Sequence, residues 1–336
     1  MTLVRELVRV APHAGAHRPA LRCAVSVGVA SLEQLAVGRL DLLGAAAFGA
    51  FTAIYGRDLT VPGRTAVQAL TGVGLTLSVA VGLLAAHLPG APWVELAVLV
   101  ALAGVATLVG GIVDWKPGGP LFFVFAAGAF AGAPVQPGGT VLEILATTAG
   151  AAAFSVLIGS VGAVFPTHVR ARRPVAVRTA REVLRSGIVG DVVLACALTA
   201  PVAVLLGVEH LYWALIGAVV PVTAVGGTQR LARGLHRIAG TLLGLAVAAP
   251  LLAAGLPGWA IVVVAVVLQV GAELFVLRNY ALALVFVTPL ALVVGATMHP
   301  AATGELLTDR ILATVVGVLV SLAVLALRRR ERRWSP

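Results

Sequence analysis

The sequence predicts an all-α integral membrane protein of about twelve transmembrane helices, arranged as two parallel six-helix repeats. Three observations lead there. The 336 residues are 60% hydrophobic and 11% charged, with a mean hydropathy of +1.02, far more apolar than a soluble domain. Charges fall in short clusters between apolar runs of roughly 15 to 25 residues, the length that crosses a bilayer as a helix. Backbone groups in lipid need partners within their own segment or barrel, and the two-residue alternation of a barrel strand is missing from the sequence, which leaves helices.

The candidate crossings run 22–38, 41–56, 65–87, 92–112, 119–133, 141–165, 186–207, 210–228, 236–255, 257–276, 279–298 and 306–327, of which the second and fifth are short. The basic residues test the count. With the 1–21 tail in the cytoplasm, only Arg39 and Arg310 of the 24 basic residues fall outside, leaving 22 inside. Arginine and lysine favour the cytoplasmic side, and a wrong count would scatter them. Trp93, Trp213 and Trp259 then begin helices at the outer face, while Trp115 and Trp334 mark the inner one.

The chain also repeats. Arg22 and Arg185 each open an apolar helix, Arg64 and Arg237 each precede the third helix of a half, and Pro92-Trp93 and Pro257-Gly258-Trp259 each open the fourth. This divides the chain into repeats 22–165 and 186–327, joined by a basic linker 166–185 and followed by a basic tail 328–336. Six crossings are an even number, so both halves enter from one side, as parallel repeats do. The linker is read as cytoplasmic, with the character of an interfacial helix. Pro201, Pro221, Pro250 and Pro289 lie inside or near the ends of second-half helices. Interrupted helices line substrate paths, and membrane helices also tolerate proline for packing.

The net charge of +10 and pI of about 11.2 are a topology signal here, not a nucleic-acid footprint. Cys23 and Cys196 sit in apolar runs and read as small buried hydrophobes. The polar N-terminal stretch is too long for a typical cleaved signal peptide, so the first helix reads as an uncleaved anchor. Lys116, the one lysine, follows Trp115, so no P-loop for ATP can be drawn. His13 and His17 make a poor metal site with two ligands. No catalytic constellation, metal site or cofactor is expected.

Intramembrane acids are expensive and usually face an interior path. Asp191, in the 186–207 helix, is the first proton-coupling candidate; Glu273, one turn from Gln269, and Glu33, in the outer half of the first helix, are the others. The plain alternative for each is a static partner for an arginine, with Arg278 the expected partner of Glu273. Asp309 and Arg310 read as compensating each other or snorkelling outward.

The stretch His210–Gly244 reads as an outer aromatic anchor (Tyr212, Trp213), a crossing, a basic cytoplasmic loop (Arg230, Arg233, Arg237) and a Gly-Thr-x-x-Gly helix start. Gly240 and Gly244, four apart, admit a close neighbouring helix. Arg237 and Thr241 could meet an anion there. Gln269, Asn279 and Tyr280 complete the candidate substrate path, with Tyr280 able to stack on an aromatic ring or to sit in the interface belt.

Tyr212-Trp213, the pattern Arg237-x-x-Gly240-Thr241-x-x-Gly244 and the run Arg278 to Val294 together resemble the fusaric acid resistance-like family of inner-membrane exporters, also called aromatic acid exporters. The resemblance covers the second half well and the first half weakly. It implies export of small organic anions such as aromatic carboxylates across the plasma membrane, driven by an ion gradient such as the proton motive force. The partners are then an organic anion and the lipid bilayer, with no nucleic acid; a homo-oligomer is compatible. Two alternatives stay open, a passive anion channel similar to plant malate channels and a non-transporting envelope protein. The topology has a direct test: a reporter enzyme fused beside Lys116 is expected to be active in the cytoplasm, and periplasmic activity would overturn the helix count.

Overall fold

The computed structural model describes residues 3–13, 15–90, 92–132, 140–161, 177–298 and 302–334, with side chains up to Arg328 in the last helix. Among the described residues every regular element is helical. In chain order these are α1 (Leu3–Val8), α2 (His17–Ala36), α3 (Leu43–Ala50, flanked by single 3-10 turns Leu40–Leu42 and Phe51–Ile54) and α4 (Val61–His87). Next come α5 (Trp93–Val113), α6 (Leu121–Ala131), α7 (Val141–Val161), α8 (Ala180–Arg185) and α9 (Ile188–Leu205). The last five are α10 (Leu211–Val222), α11 (Gly227–Ala253), α12 (Gly258–Phe275), α13 (Tyr280–Met298) and α14 (Thr303–Trp334).

Eight of these are long and apolar enough to cross a membrane: α4, α5, α7, α9, α11, α12, α13 and α14 as far as Arg328. Their central windows are only 28–50% buried within the protein. The remainder faces outward with exposed leucines and valines such as Leu77, Val105, Leu157 and Leu243, the pattern expected where lipid is the solvent. The short apolar helices behave oppositely. Every residue of α3 and of α10 is buried. They are core rods wrapped by the longer helices.

The expected 210–228 crossing is therefore too long: α10 ends at Val222. Pro221 lies at its last turn and Gly226 adopts φ +83°, a left-handed conformation that breaks the helix. Twelve residues rise only ~18 Å, well short of a ~30 Å hydrocarbon core. The expected basic loop is a second correction. α11 starts at Gly227, so Arg230, Arg233 and Arg237 lie on a helix. Gln, Arg, Leu, Ala and His fill its first turns, and all are compatible with helix when no proline intervenes. Trp93 and Trp259 are 54% and 64% exposed in their first turns, as belt residues should be, whereas Trp213 and Trp115 are 3% exposed and belong to the interior. Their rings find aromatic neighbours there, Trp115 stacking on Phe123 with centroids 5.0 Å apart.

Residues 166–176 of the expected linker lie outside the described residues. The rest of the linker carries α8, opened by a capping box in which the Thr179 N–H donates to Glu182 at 2.7 Å. That backbone N–H holds the Glu182 carboxyl below the usual carboxylate range. Val183 is buried and seats α8 against Gly111 of α5.

Helix pairing has a pattern. Within the N-terminal helices α3 packs on α7, and α4 on α6 and α7; within the C-terminal helices α10 packs on α14, and α11 on α13 and α14. Across them, α2 packs on α12 and α5 on α9. Glycines set the closest crossings. A Cβ on Gly49 would overlap the Thr148 carbonyl, on Gly82 the Ala127 carbonyl, on Gly317 the Ala214 carbonyl and on Gly240 the Ala281 carbonyl. Backbones approach this closely only where no side chain intervenes. Gly317→Leu is accordingly expected to destabilise the protein by more than the ~1–3 kcal/mol of ordinary overpacking, read as loss of the monodisperse peak in detergent. Gly150→Leu, with nothing within 4 Å of its Cβ, is expected to leave that peak unchanged.

Candidate functional site, a buried arginine pair

The tight α10–α14 and α11–α13 crossings, with α11 also lying on α14, bring four helices together. Two arginines point into this meeting place. Arg237 on α11 is 2% exposed and Arg310 on α14 is 1% exposed. Arg237, Tyr280 and Tyr212 all lie within electrostatic reach of Arg310. Arg237 Nη1 donates to the Tyr280 hydroxyl at 3.1 Å, and Arg233 sits 4.8 Å over the Tyr280 ring. Arg310 lies 4.6 Å from the centroid of Trp213, and His210 stacks on the same indole at 4.2 Å.

Asp309 acts on Arg310 only at longer range, and its direct partners lie elsewhere. Its carboxylate accepts from His210 Nδ1 at 2.7 Å and from the backbone N–H groups of Glu209 and His210 at 2.8 and 3.0 Å. Arg310 does not snorkel outward, since it is fully enclosed. Among the described residues no carboxylate forms an ion pair with Arg237 or Arg310, although Asp309 acts on Arg310 at longer range. Arg237 Nε and Nη2 and Arg310 Nε and Nη1 are buried without a hydrogen-bond partner.

Three threonines share that condition. Thr241 and Thr314 each stand one turn beyond an arginine, on its face of the helix, and Thr288 lies on α13; the hydroxyl oxygens of all three are buried and unpartnered. Thr52 and Thr199 are buried and unpartnered as well, whereas other buried threonines turn back onto their own helices. Thr71, Thr107 and Thr148 are equally buried, yet each donates back to the carbonyl four residues earlier at 2.6–2.9 Å. A buried polar group without a partner costs about 1–3 kcal/mol, more when charged. Four such guanidinium nitrogens on Arg237 and Arg310, with Thr241 and Thr314 one turn beyond them, are donors from which an anion could accept.

The N-terminal helices hold a comparable arginine in a closed state. Arg64 on α4 is 1% exposed, and its Nε donates to the Gly159 carbonyl of α7 at 2.9 Å. Gln68, one turn on, donates to the Tyr55 carbonyl at 3.2 Å.

The structure divides the residues singled out from the sequence. Arg237, Thr241, Tyr280, Tyr212 and Trp213 come together around Arg310. Gly240 and Gly244 serve the α11–α13 crossing, against the carbonyls of Ala281 and Leu284. Asn279 caps α13 through the Leu282 N–H and holds the carbonyls of Leu7 and Arg9. Gln269 donates to Cys23 Sγ at 3.0 Å across the α2–α12 contact. Glu273 pairs with Arg57, not Arg278, at 2.7 Å, with side chains only 5% and 11% exposed. Asp191 lies in the first turn of α9, 3.2 Å from Arg328. Glu33 is exposed on α2.

Arg310 and Thr314 were not among the residues the sequence pointed to. The signal existed: Arg237-x-x-x-Thr241 and Arg310-x-x-x-Thr314 are the same spacing on two helices. The topology argument hid it by assigning Arg310 to outer water.

Helices of this length and composition define a helical membrane protein. Residues 195–324, which include every member of the arginine cluster, match the family described as fusaric acid resistance protein-like. No curated protein and no solved structure matches the chain.

The Arg57–Glu273 pair gives a stability test. Removing one partner of a buried pair costs about 3–5 kcal/mol, while replacing both with apolar residues is near neutral. Arg57→Leu alone is expected to lower the melting temperature in detergent, and Arg57→Leu with Glu273→Leu to restore most of it.

Proposed function

We propose that the protein is an inner-membrane transporter that carries small organic anions, aromatic carboxylates among them, out of the cytoplasm through the Arg237–Arg310 site. The observation that carries this reading is the pair of buried guanidiniums with no acid in direct ion-pair contact among the described residues and four N–H-bearing nitrogens unpartnered. A carboxylate accepts two parallel N–H bonds from a guanidinium fork. The rings of Trp213, Tyr212 and Tyr280 supply an apolar wall for the rest of the molecule. The family match over residues 195–324 supports membrane transport as the class of function.

The same proposal includes the twelve-helix architecture, with both termini cytoplasmic and two parallel halves. Its support is the reciprocity of the helix pairs: α3–α7 answers α10–α14, α4–α6 answers α11–α13, and α2–α12 answers α9–α5. On this reading the first half, with Arg64 closed by Gly159, is the scaffold and the second half the carrier.

Proton coupling through Asp191, Glu273 or Glu33 is the finer part of the proposal. A second reading, passive movement of organic anions, draws on the ion pairs that hold Asp191 to Arg328 and Glu273 to Arg57. Purified protein in liposomes separates these. Arg237→Gln and Arg310→Gln are each expected to lower 4-hydroxybenzoate flux by about a hundredfold, ~2.7 kcal/mol, the loss of a charge-assisted hydrogen bond to the anion. Flux at the unaltered rate in both would sink the site. An imposed pH gradient that drives uptake in the parent protein but not in Asp191→Asn would assign the proton to Asp191.

A further inference from the structure

We infer that the Arg237–Arg310 site cannot cross the membrane unloaded, so that the protein works as an obligatory anion exchanger, returning a second small anion for each one it releases. The inference rests on the transport reading above and concerns how that same site is regulated by its load.

Arg237 and Arg310 are 2% and 1% exposed and within electrostatic reach of each other. Two like charges repel, and each also loses its hydration in the protein interior. The nearest acids relieve them only in part, Asp309 acting on Arg310 at longer range. Asp309 is committed to His210 and to two backbone amides. Glu95, on α5, lies within reach of His210 and Tyr212 and makes no ion pair with either arginine among the described residues. Glu273 and Asp191 are taken by Arg57 and Arg328. Thr241 and Thr314, one turn beyond the two arginines, have hydroxyl oxygens with no partner of their own.

A bound anion changes this balance twice. It supplies the missing counter-charge, and it accepts from the unpartnered guanidinium nitrogens. A carrier must close around its site as it passes between the two sides of the membrane, and closure removes the last solvent. Loaded, the site passes that point as a hydrogen-bonded ion pair. Unloaded, it would pass as two bare cations in a low dielectric, the arrangement most penalised in protein interiors. The return step therefore needs an anion too. Carriers with a resident carboxylate in their site escape this requirement, because the acid can neutralise the arginine when the substrate leaves.

The test uses the full chain in liposomes loaded with radiolabelled 4-hydroxybenzoate, with the membrane potential clamped by equal potassium and valinomycin. Efflux is measured with unlabelled 4-hydroxybenzoate outside, or with bulky gluconate as the only external anion. Exchange predicts efflux about tenfold faster with the small external anion, a ratio equivalent to ~1.4 kcal/mol. Equal rates under both conditions, above those of protein-free liposomes, would overturn the exchange inference while leaving the transport reading intact. Efflux no faster than from protein-free liposomes would remove both.

A variant adds an independent readout. Thr314→Asp places a carboxylate one turn from Arg310, where it can serve as a resident counter-charge. The ratio between the two external conditions is expected to fall towards one, with weaker binding of 4-hydroxybenzoate. A folded Thr314→Asp protein that keeps the full tenfold dependence would count against the inference, since the missing counter-charge would then not be its cause.

Discussion

Inside a bilayer no water arrives to complete a hydrogen bond, and most of this structure obeys that constraint. It makes every regular element among the described residues a helix. It turns buried threonines and serines back onto their own helices, as Thr71, Ser78, Thr107, Thr148 and Ser155 do. It ties buried charges into pairs, Arg57 with Glu273 and Asp309 with His210. Buried atoms without a partner also occur elsewhere, on Ser26, Thr52, Tyr55 and Thr199 among others, but Arg237 and Arg310 each leave two guanidinium nitrogens unpartnered. These two arginines lie where α10, α11, α13 and α14 meet, within the stretch that matches the fusaric acid resistance protein-like family.

The second organising force is steric. Helices in lipid gain little from hiding apolar surface, so close contact has to come from shape. Gly49, Gly82, Gly240 and Gly317 provide it, each lying against a carbonyl of the helix it crosses. The same close crossings carry Arg237 and Arg310 inward. Packing and site are thus one arrangement: the glycines that let α11 meet α13 and α14 meet α10 also bring the two arginines within reach of each other.

Much of the helical framework was legible from hydropathy and length alone. Apart from the polar start of α11 and the basic end of α14, the long helices begin and end within a few residues of the apolar runs, because lipid demands a continuous apolar segment and the chain shows it openly. The short helix α10 was not legible in its true length, since a fully buried rod and a lipid-facing one are both apolar throughout. The site was half legible. Arg237, Thr241, Tyr280, Tyr212 and Trp213 were found, although Trp213 was assigned to the membrane surface when its ring lies under Arg310. Arg310 was missed because counting arginines by side assumes that each sits in water. An arginine enclosed in protein breaks that assumption, and its pairing with α11 depends on contacts between helices far apart in sequence. The partners of Glu273 and Asp191 were hidden for the same reason: Arg57 and Arg328 come from distant segments.

The wholly enclosed α10 also bears on how the chain is made. Twelve residues are too few to settle stably across lipid by themselves, and the helix that covers α10 most extensively, α14, leaves the ribosome after the other thirteen. Until α14 emerges, α10 and its aromatic start at Tyr212 and Trp213 lack their main cover. Biogenesis of this protein therefore has a late closing step, in which α14 brings Arg310 and Thr314 against α10 only once its neighbours are already in the membrane.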